Sequence, residues 1–287
     1  MTERREGRIM KIGIVGLGLI GGSLAAASKR AGHEVLGCDV SRKTAGFAKL
    51  SGTIDGELTD ETIPECGVIL IAVPVGEGIK WIREKGGLVS CGAMVIDCCG
   101  IKREICETGF AAAQEHGFSF MGGHPMAGKQ VGGIKNSTAG LFDGSTFALV
   151  PSDKNDIRLM ARAKGFLEEL GFGRFIVMTP EEHDKVIAFT SQMAHLISNA
   201  YIKSDMAGVG AGMALSGGAF RDMTRVAYLD EAMWTDLFMR NRDNLIGELK
   251  GFIGELREYL EAIEGEDAER LTGLLAEGKR RKESMSQ

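Results

Sequence analysis

The segment from Lys11 to Gly21 restricts the fold more than any other part of the chain. An apolar run containing Ile12, Ile14 and Val15 leads without a break into Gly16-Leu17-Gly18-Leu19-Ile20-Gly21, which opens an Ala-rich stretch. Strand, glycine turn and helix in that order call for a parallel sheet covered by helices. Each glycine has its own reason. Gly16 permits the tight turn, Gly18 lets the backbone approach a pyrophosphate, and Gly21 lets helix and strand pack closely, while the free amides of the first helical turn, at Leu19 and Ile20, face the phosphates. Asp39 ends the next apolar run, 18 residues after Gly21. A carboxylate there accepts the ribose hydroxyls and repels a 2′-phosphate, which favours NAD over NADP. Arg42 works slightly against that selectivity, because a guanidinium either binds a phosphate or stacks on adenine.

The alternation continues along the first half. Lys11 to Val15, Glu34 to Asp39, Val68 to Val73, Ala93 to Asp97, Phe118 to Met121, Thr146 to Val150 and Arg174 to Val177 read as strands. Ile20 to Ala31, Arg42 to Leu50, Gly76 to Glu84 and Lys102 to Gln114 read as the helices between them. The expected architecture is α/β: a flexible tail over residues 1–10, then a Rossmann-type doubly wound parallel sheet over 11–178. At Thr179 the texture changes. Thr179-Pro180-Glu181-Glu182 is a capping box with proline at the first helical position. No strand pattern follows, so 179–287 is expected to be all-helical. Leu245, Leu249, Phe252, Leu256, Tyr259 and Ile263 form one apolar stripe there, either core or the face of a dimer.

Composition sets the outer limits. The net charge of −5 gives no global reason to bind nucleic acid or an anionic membrane. No apolar stretch approaches the ~18 residues of a membrane helix, and residues 1–10 lack a signal-peptide core, so a cytoplasmic protein is expected. All six cysteines fall within the first 106 residues without a CxxC pair. They are expected to be reduced, with Cys98 and Cys99 as packing residues.

Val73-Pro74 places a rigid turn at the carboxyl edge of the sheet, where ligands of open α/β folds sit, and Gly100 occupies the same edge one strand later. His124 lies just past a strand, with Gly122 and Gly123 before it and Pro125 after it. Such a loop holds an imidazole rigidly, either for proton transfer or as a structural group. His33, in a polar turn, and His116 and His183, among charges, are expected to be exposed and inert. His195 shares a helical face with Asp184, Ala188 and Ser191, set for ligand contact or for core packing. Arg225 either clamps a carboxylate or pairs with Asp222, and Trp234 either walls a pocket or fills the core.

Together these pieces resemble the prephenate dehydrogenase family, with its arogenate-using relatives. The resemblance runs from Lys11 to at least Asn244. It is carried by GLGLIGGS at Gly16 to Ser23, AVPV at Ala72 to Val75, HPMAG at His124 to Gly128, EEHD at Glu181 to Asp184, Ser191 to His195, and FRDMTR at Phe220 to Arg225. It implies oxidation of prephenate at its ring carbinol, with hydride passing to NAD and loss of carbon dioxide giving 4-hydroxyphenylpyruvate, the precursor of tyrosine. It further implies that His124 accepts the hydroxyl proton. His195, Arg225 and Trp234 then hold a dianionic substrate, and two subunits pair through the helical half. Arogenate, or another hydroxy acid or imine on the same scaffold, remains an alternative. Three positions depart from the family pattern. Gly100 stands where many members have serine, Gln130 where some carry a gating glutamate, and Gln192 and Ala194 alter the motif before His195. The chain length is also expected to leave no room for an appended regulatory domain.

Overall fold

The computed structural model describes residues 9–129, 131–204 and 217–285. Gln130 and most of the expected N-terminal tail therefore lie outside the described residues. Eight strands form one sheet: β1 (Lys11–Val15), β2 (Glu34–Cys38), β3 (Gly56–Glu57), β4 (Val68–Ile71), β5 (Met94–Asp97), β6 (Ser119–Pro125), β7 (Thr146–Val150) and β8 (Arg174–Val177). Their spatial order is β3-β2-β1-β4-β5-β6-β7-β8. The first six follow the doubly wound dinucleotide order, with its switch point between β1 and β4.

The sheet is not wholly parallel, as the sequence led us to expect. β7 runs antiparallel to β6, with His124 opposite Ala148, and β8 is parallel to β7. Among its described residues, the segment from Met126 to Ser145 contains only a short 3₁₀ turn, Ile134–Asn136, and no crossover helix. A strand returning without a crossover helix enters antiparallel.

Helices cover both faces. Ile12, Ile14, Val68, Leu70, Met94 and Ile96 point to one side, against α1 (Leu19–Arg30), α2 (Arg42–Leu50) and α5 (Ile157–Glu169). Val15, Ile69, Ile71, Val95 and Phe120 point to the other, against α3 (Val75–Lys85) and α4 (Arg103–His116). Burial on both faces explains why these strands read as continuous apolar runs.

Among the described residues no strand follows β8. The capping box forms as expected: Thr179 Oγ1 accepts from the Glu182 amide at 3.2 Å and Glu182 Oε2 from the Thr179 amide at 2.7 Å. It starts α6 (Pro180–Ile187), which continues through a π-helical stretch, Ala188–Met193, into α7 (Ala194–Ile202). The helices α8 (Gly218–Thr224), α9 (Glu231–Arg240), α10 (Arg242–Glu264) and α11 (Ala268–Ser284) complete the helical half. Among the described residues no helix is long and apolar enough to cross a membrane.

The two halves are joined at the start of α4. The residue before this helix is Lys102, which cannot cap it, and no side chain of its own segment does so. Asp184 of α6 takes that role, accepting from the Lys102 amide at 2.7 Å and the Arg103 amide at 3.0 Å. A carboxylate at a helix N-terminus satisfies orphan donors and suits the positive end of the helix dipole. Arg103 also donates to Asp243 and to Asn241, and Asn241 donates to the Asp184 carbonyl, so α10 is tied into the same joint.

Candidate active site

The turn after β1 has the geometry its glycines require. Gly16 has φ +88°, a left-handed conformation, and a Cβ there would lie 2.5 Å from Val73 Cγ1. A Cβ on Gly21 would lie 1.8 Å from the Gly16 carbonyl oxygen, so helix and turn approach closely enough to exclude any side chain. At Gly18 a Cβ would meet nothing within 4 Å. The middle glycine therefore serves no internal packing, and it leaves the backbone open to a ligand. No side chain caps α1 and no acidic residue lies in its first turn, so the amides around Leu19 and Ile20 suit a pyrophosphate. Asp39 accepts from the Leu17 amide at 2.9 Å and the Ser41 amide at 2.8 Å, which fixes the carboxylate beside this turn. Arg42 begins α2 and is exposed.

Val73 and Pro74 follow β4, and Gly100 follows β5, at the same carboxyl edge. The Val73 carbonyl accepts from the Cys99 thiol at 3.3 Å. A Cβ on Gly100 would sit 3.2 Å from Leu237 Cδ2, so the helical half covers this position with an apolar side chain. Burial pushes the Cys98 and Cys99 thiols well up from their ordinary range, which makes them inert packing groups at neutral pH.

His124 stands near the carboxyl end of β6, three strand spacings from β1, or about 14 Å along the edge. The preceding residue is gripped from both sides. Gly123 N donates to Asp97 Oδ2 at 3.1 Å, and Gly123 O accepts from Lys102 Nζ at 2.6 Å. Lys102 and Asp97 are themselves paired and fully buried. Burial pushes the Lys102 ammonium down, but the Asp97 charge more than restores it, so the group stays cationic. Burial lowers His124 well below the usual imidazole value, and repulsion from His183 and Lys102 adds to this. The ring is neutral at neutral pH.

His183 is the residue that sequence reasoning misplaced. Expected to be exposed, it is buried, and its Nε2 lies 2.9 Å from His124 Nδ1 while its Nδ1 lies 2.8 Å from Asp184 Oδ1. Glu181, Glu182 and Lys185 face solvent or partners on the outer side of α6, whereas His183, Asp184 and Ile187 turn inward. His33 is likewise buried, not exposed. Its Nε2 lies 3.1 Å from Glu169 Oε2 and its ring lies against Phe166, because α5 covers the turn before β2.

His195 and Trp234 come together, with ring centroids 4.1 Å apart, and Trp234 leans on Phe238. His195 Nδ1 donates to the Ser191 carbonyl at 2.8 Å, which fixes the ring on its helix. The regular face expected for Asp184, Ala188, Ser191 and His195 is interrupted by the π-helical stretch. Asp184 caps α4, while His195 turns to Trp234. Arg225 follows α8 and is exposed. The Tyr201–Phe220 ring contact and the Asn199 hydrogen bond to the Ala227 carbonyl hold its segment against α7.

Residues 24–177 match the family model described as prephenate dehydrogenase, nucleotide-binding domain, and residues 179–277 match prephenate dehydrogenase, dimerization domain. A prephenate dehydrogenase of Bacillus subtilis is 29% identical over 266 residues, covering 90% of this chain and 71% of that protein. The crystal structure of prephenate dehydrogenase from Aquifex aeolicus in complex with hydroxyphenyl propionate and NAD+ superposes with a TM-score of 0.81. It is 27% identical and covers 98% of this chain and 100% of that one. A Synechocystis arogenate dehydrogenase gives a TM-score of 0.79 at 27% identity, over 96% and 100% of the two chains. With both halves matched and the dinucleotide turn in place, the chain belongs to the prephenate dehydrogenase family of oxidoreductases.

Proposed function

We propose that the chain carries out the oxidative decarboxylation of prephenate to 4-hydroxyphenylpyruvate with NAD. The observation that carries the reading is a neutral, half-buried His124 fixed at the carboxyl edge of the same sheet whose switch point bears the glycine turn. The dinucleotide supplies a hydride acceptor when bound, held by the amides after Gly16, Gly18 and Gly21, by Asp39, and by the edge at Val73, Pro74 and Gly100.

His124 accepts the proton of the ring hydroxyl as the carbon–hydrogen bond gives up its hydride, and loss of the ring carboxylate as carbon dioxide restores aromaticity. A neutral imidazole is required at the outset, and the depressed basicity of His124 ensures it. His195 and Trp234 present a flat, partly polar wall to a cyclohexadiene ring. Arg225 is assigned to a substrate carboxylate, because a dianion entering a desolvated cleft needs a cationic partner, and the neutral Gln130 to the substrate's side chain.

A second reading, arogenate in place of prephenate, is favoured by the likeness to the Synechocystis enzyme. The hydride chemistry is the same in both.

The helical half supports a homodimer. Ile246, Ile253, Leu256, Leu260 and Ile263 on α10 and Leu275 on α11 are exposed in the single chain. An apolar surface of that extent calls for a partner. Of the expected stripe, Leu245 packs inside, while Leu256 and Ile263 remain outside.

The test is to follow reduced nicotinamide and carbon dioxide with each substrate, comparing kcat/KM. His124→Asn should retain dinucleotide binding and lose about 10²-fold or more in turnover. Undiminished turnover would remove His124 from the chemistry.

A further inference from the structure

We propose that His183, anchored by Asp184, is the positioning residue that sets the tautomer of His124 and directs its basic nitrogen, Nε2, toward the substrate. The inference rests on the function proposed above and deepens it by assigning the group behind the base.

The argument is a count of protons along three side chains. Asp184 accepts four donors, from the amides of Lys102 and Arg103, from Arg103 Nε, and from His183 Nδ1. Burial pushes its carboxyl up, but the hydrogen bonds from His183 and Arg103 outweigh this and keep it ionised. An ionised carboxylate only accepts, so His183 carries a proton on Nδ1. Burial holds His183 below the usual imidazole value despite Asp184, so the ring is neutral and its Nε2 is a bare acceptor. The group 2.9 Å from that Nε2 is His124 Nδ1, which must therefore be the donor. His124 then has its lone pair on Nε2, and among the described residues nothing hydrogen-bonds that atom. The reverse arrangement sets the lone pair of His183 Nδ1 against the Asp184 carboxylate at 2.8 Å, and this repulsion excludes it.

The same chain acts during the reaction. When the substrate's hydroxyl proton arrives on Nε2, the His124 Nδ1–H bond to His183 becomes charge-assisted and strengthens. The charged groups around His124 are Asp184 of α6, Asp97 of β5 and the paired Lys102 and Arg103 at the start of α4; β7 contributes none. Asp184 is fixed by a helix terminus and not by a flexible partner, so the orientation passes from the backbone of α4 to the base without a loose link.

Two substitutions separate positioning from simple packing. An asparagine amide ends near the place of a histidine Nδ1, so His183→Asn keeps a donor to Asp184 and removes the acceptor for His124. A glutamine amide ends near the place of Nε2, so His183→Gln keeps the acceptor for His124. The full chain, labelled with ¹⁵N at histidine, reports tautomers directly by long-range nitrogen–proton correlation, with His124→Asn identifying the signal.

The expected results are a wild-type His124 protonated on Nδ1 and a kcat for His183→Asn lower by about tenfold or more. The KM values for both substrates stay within about twofold, and His183→Gln recovers most of the loss. A wild-type His124 protonated on Nε2, or equal losses in the two variants, overturns the proposal. If the tautomer is as stated but neither prephenate nor arogenate is turned over, the functional reading fails and the positioning role stands.

Discussion

Replacing Lys102 with methionine tests the electrostatic frame around the site. The unbranched apolar side chain keeps most of the stem volume, so the change isolates the ammonium. That ammonium is fully buried, is paired with a fully buried Asp97, and donates to the Gly123 carbonyl at 2.6 Å. After Lys102→Met the Asp97 carboxylate keeps only the amides of Cys99 and Gly123, and the Gly123 carbonyl loses this donor. Breaking a buried pair from one side costs about 3–5 kcal/mol. For a domain of this size that is a fall of roughly 6–20 °C in Tm. The urea midpoint, followed by Trp81 fluorescence in a Trp234→Phe background, is the measurement, since the two tryptophans lie in different halves of the chain. The double variant Asp97→Asn with Lys102→Met leaves no unpaired charge inside and should recover at least half of the loss. Removing the cation also relieves one of the forces that depress His124, after burial and His183, so the acid limb of kcat/KM moves to higher pH. A single variant within about 1 kcal/mol of the parent, or a double variant no better than the single, would refute this account of the pair.

The glycine turn predicts a contrast. Gly21→Ala forces a Cβ to within 1.8 Å of the Gly16 carbonyl and should lower the urea midpoint sharply, while Gly18→Ala, with nothing within 4 Å, should leave it unchanged and weaken only dinucleotide binding in titration. Stability should fall as pH drops through about 6.5, because the unfolded chain binds protons there that half-buried His124 and buried His183 refuse. Each such ring adds at most about 1.4 kcal/mol per pH unit, and the slope between two urea titrations should shrink in His124→Asn. Trp234→Ala removes the ring 4.1 Å from His195 and should raise the KM for substrate while leaving dinucleotide affinity as it was, a split visible in initial-rate kinetics.

The alternation of the first half was legible because its strands are buried on both faces and its helices carry one-sided apolar patterns. β1, β7 and β8 fall where the apolar runs place them, residue for residue. β3, with two residues, is too short for any periodicity, and it forms only because β2 offers it an edge. The direction of β7 was hidden for another reason. Its own residues, Thr146 to Val150, pack equally well in either direction, and direction is decided by the twenty residues before it, which lack a helical pattern. The π-helical stretch has no signature in Ala188 to Met193 either. It follows from the demands at its ends, with Asp184 held on α4 and His195 held on Trp234.

At the site, His124 stands out in the sequence because glycines and a proline mark its loop, and His195 because it closes the segment Ser191 to His195, whereas Trp234 lies outside every quoted motif. His183 does not stand out, since Glu181, Glu182 and Lys185 give its segment the look of a solvated face. Yet one signal was present. The helix beginning at Arg103 follows Gly100-Ile101-Lys102, in which no Ser, Thr, Asp or Asn is available as a cap, although the preceding strand is deeply buried. A buried helix start without a local acceptor must borrow one from elsewhere in the chain. A carboxylate recruited for that purpose is rigid, ionised and sunk into the protein, and the side chain just before it on its helix inherits those constraints. Here that neighbour is His183, and the rigidity of the α4 terminus is passed through it to the ring that meets His124.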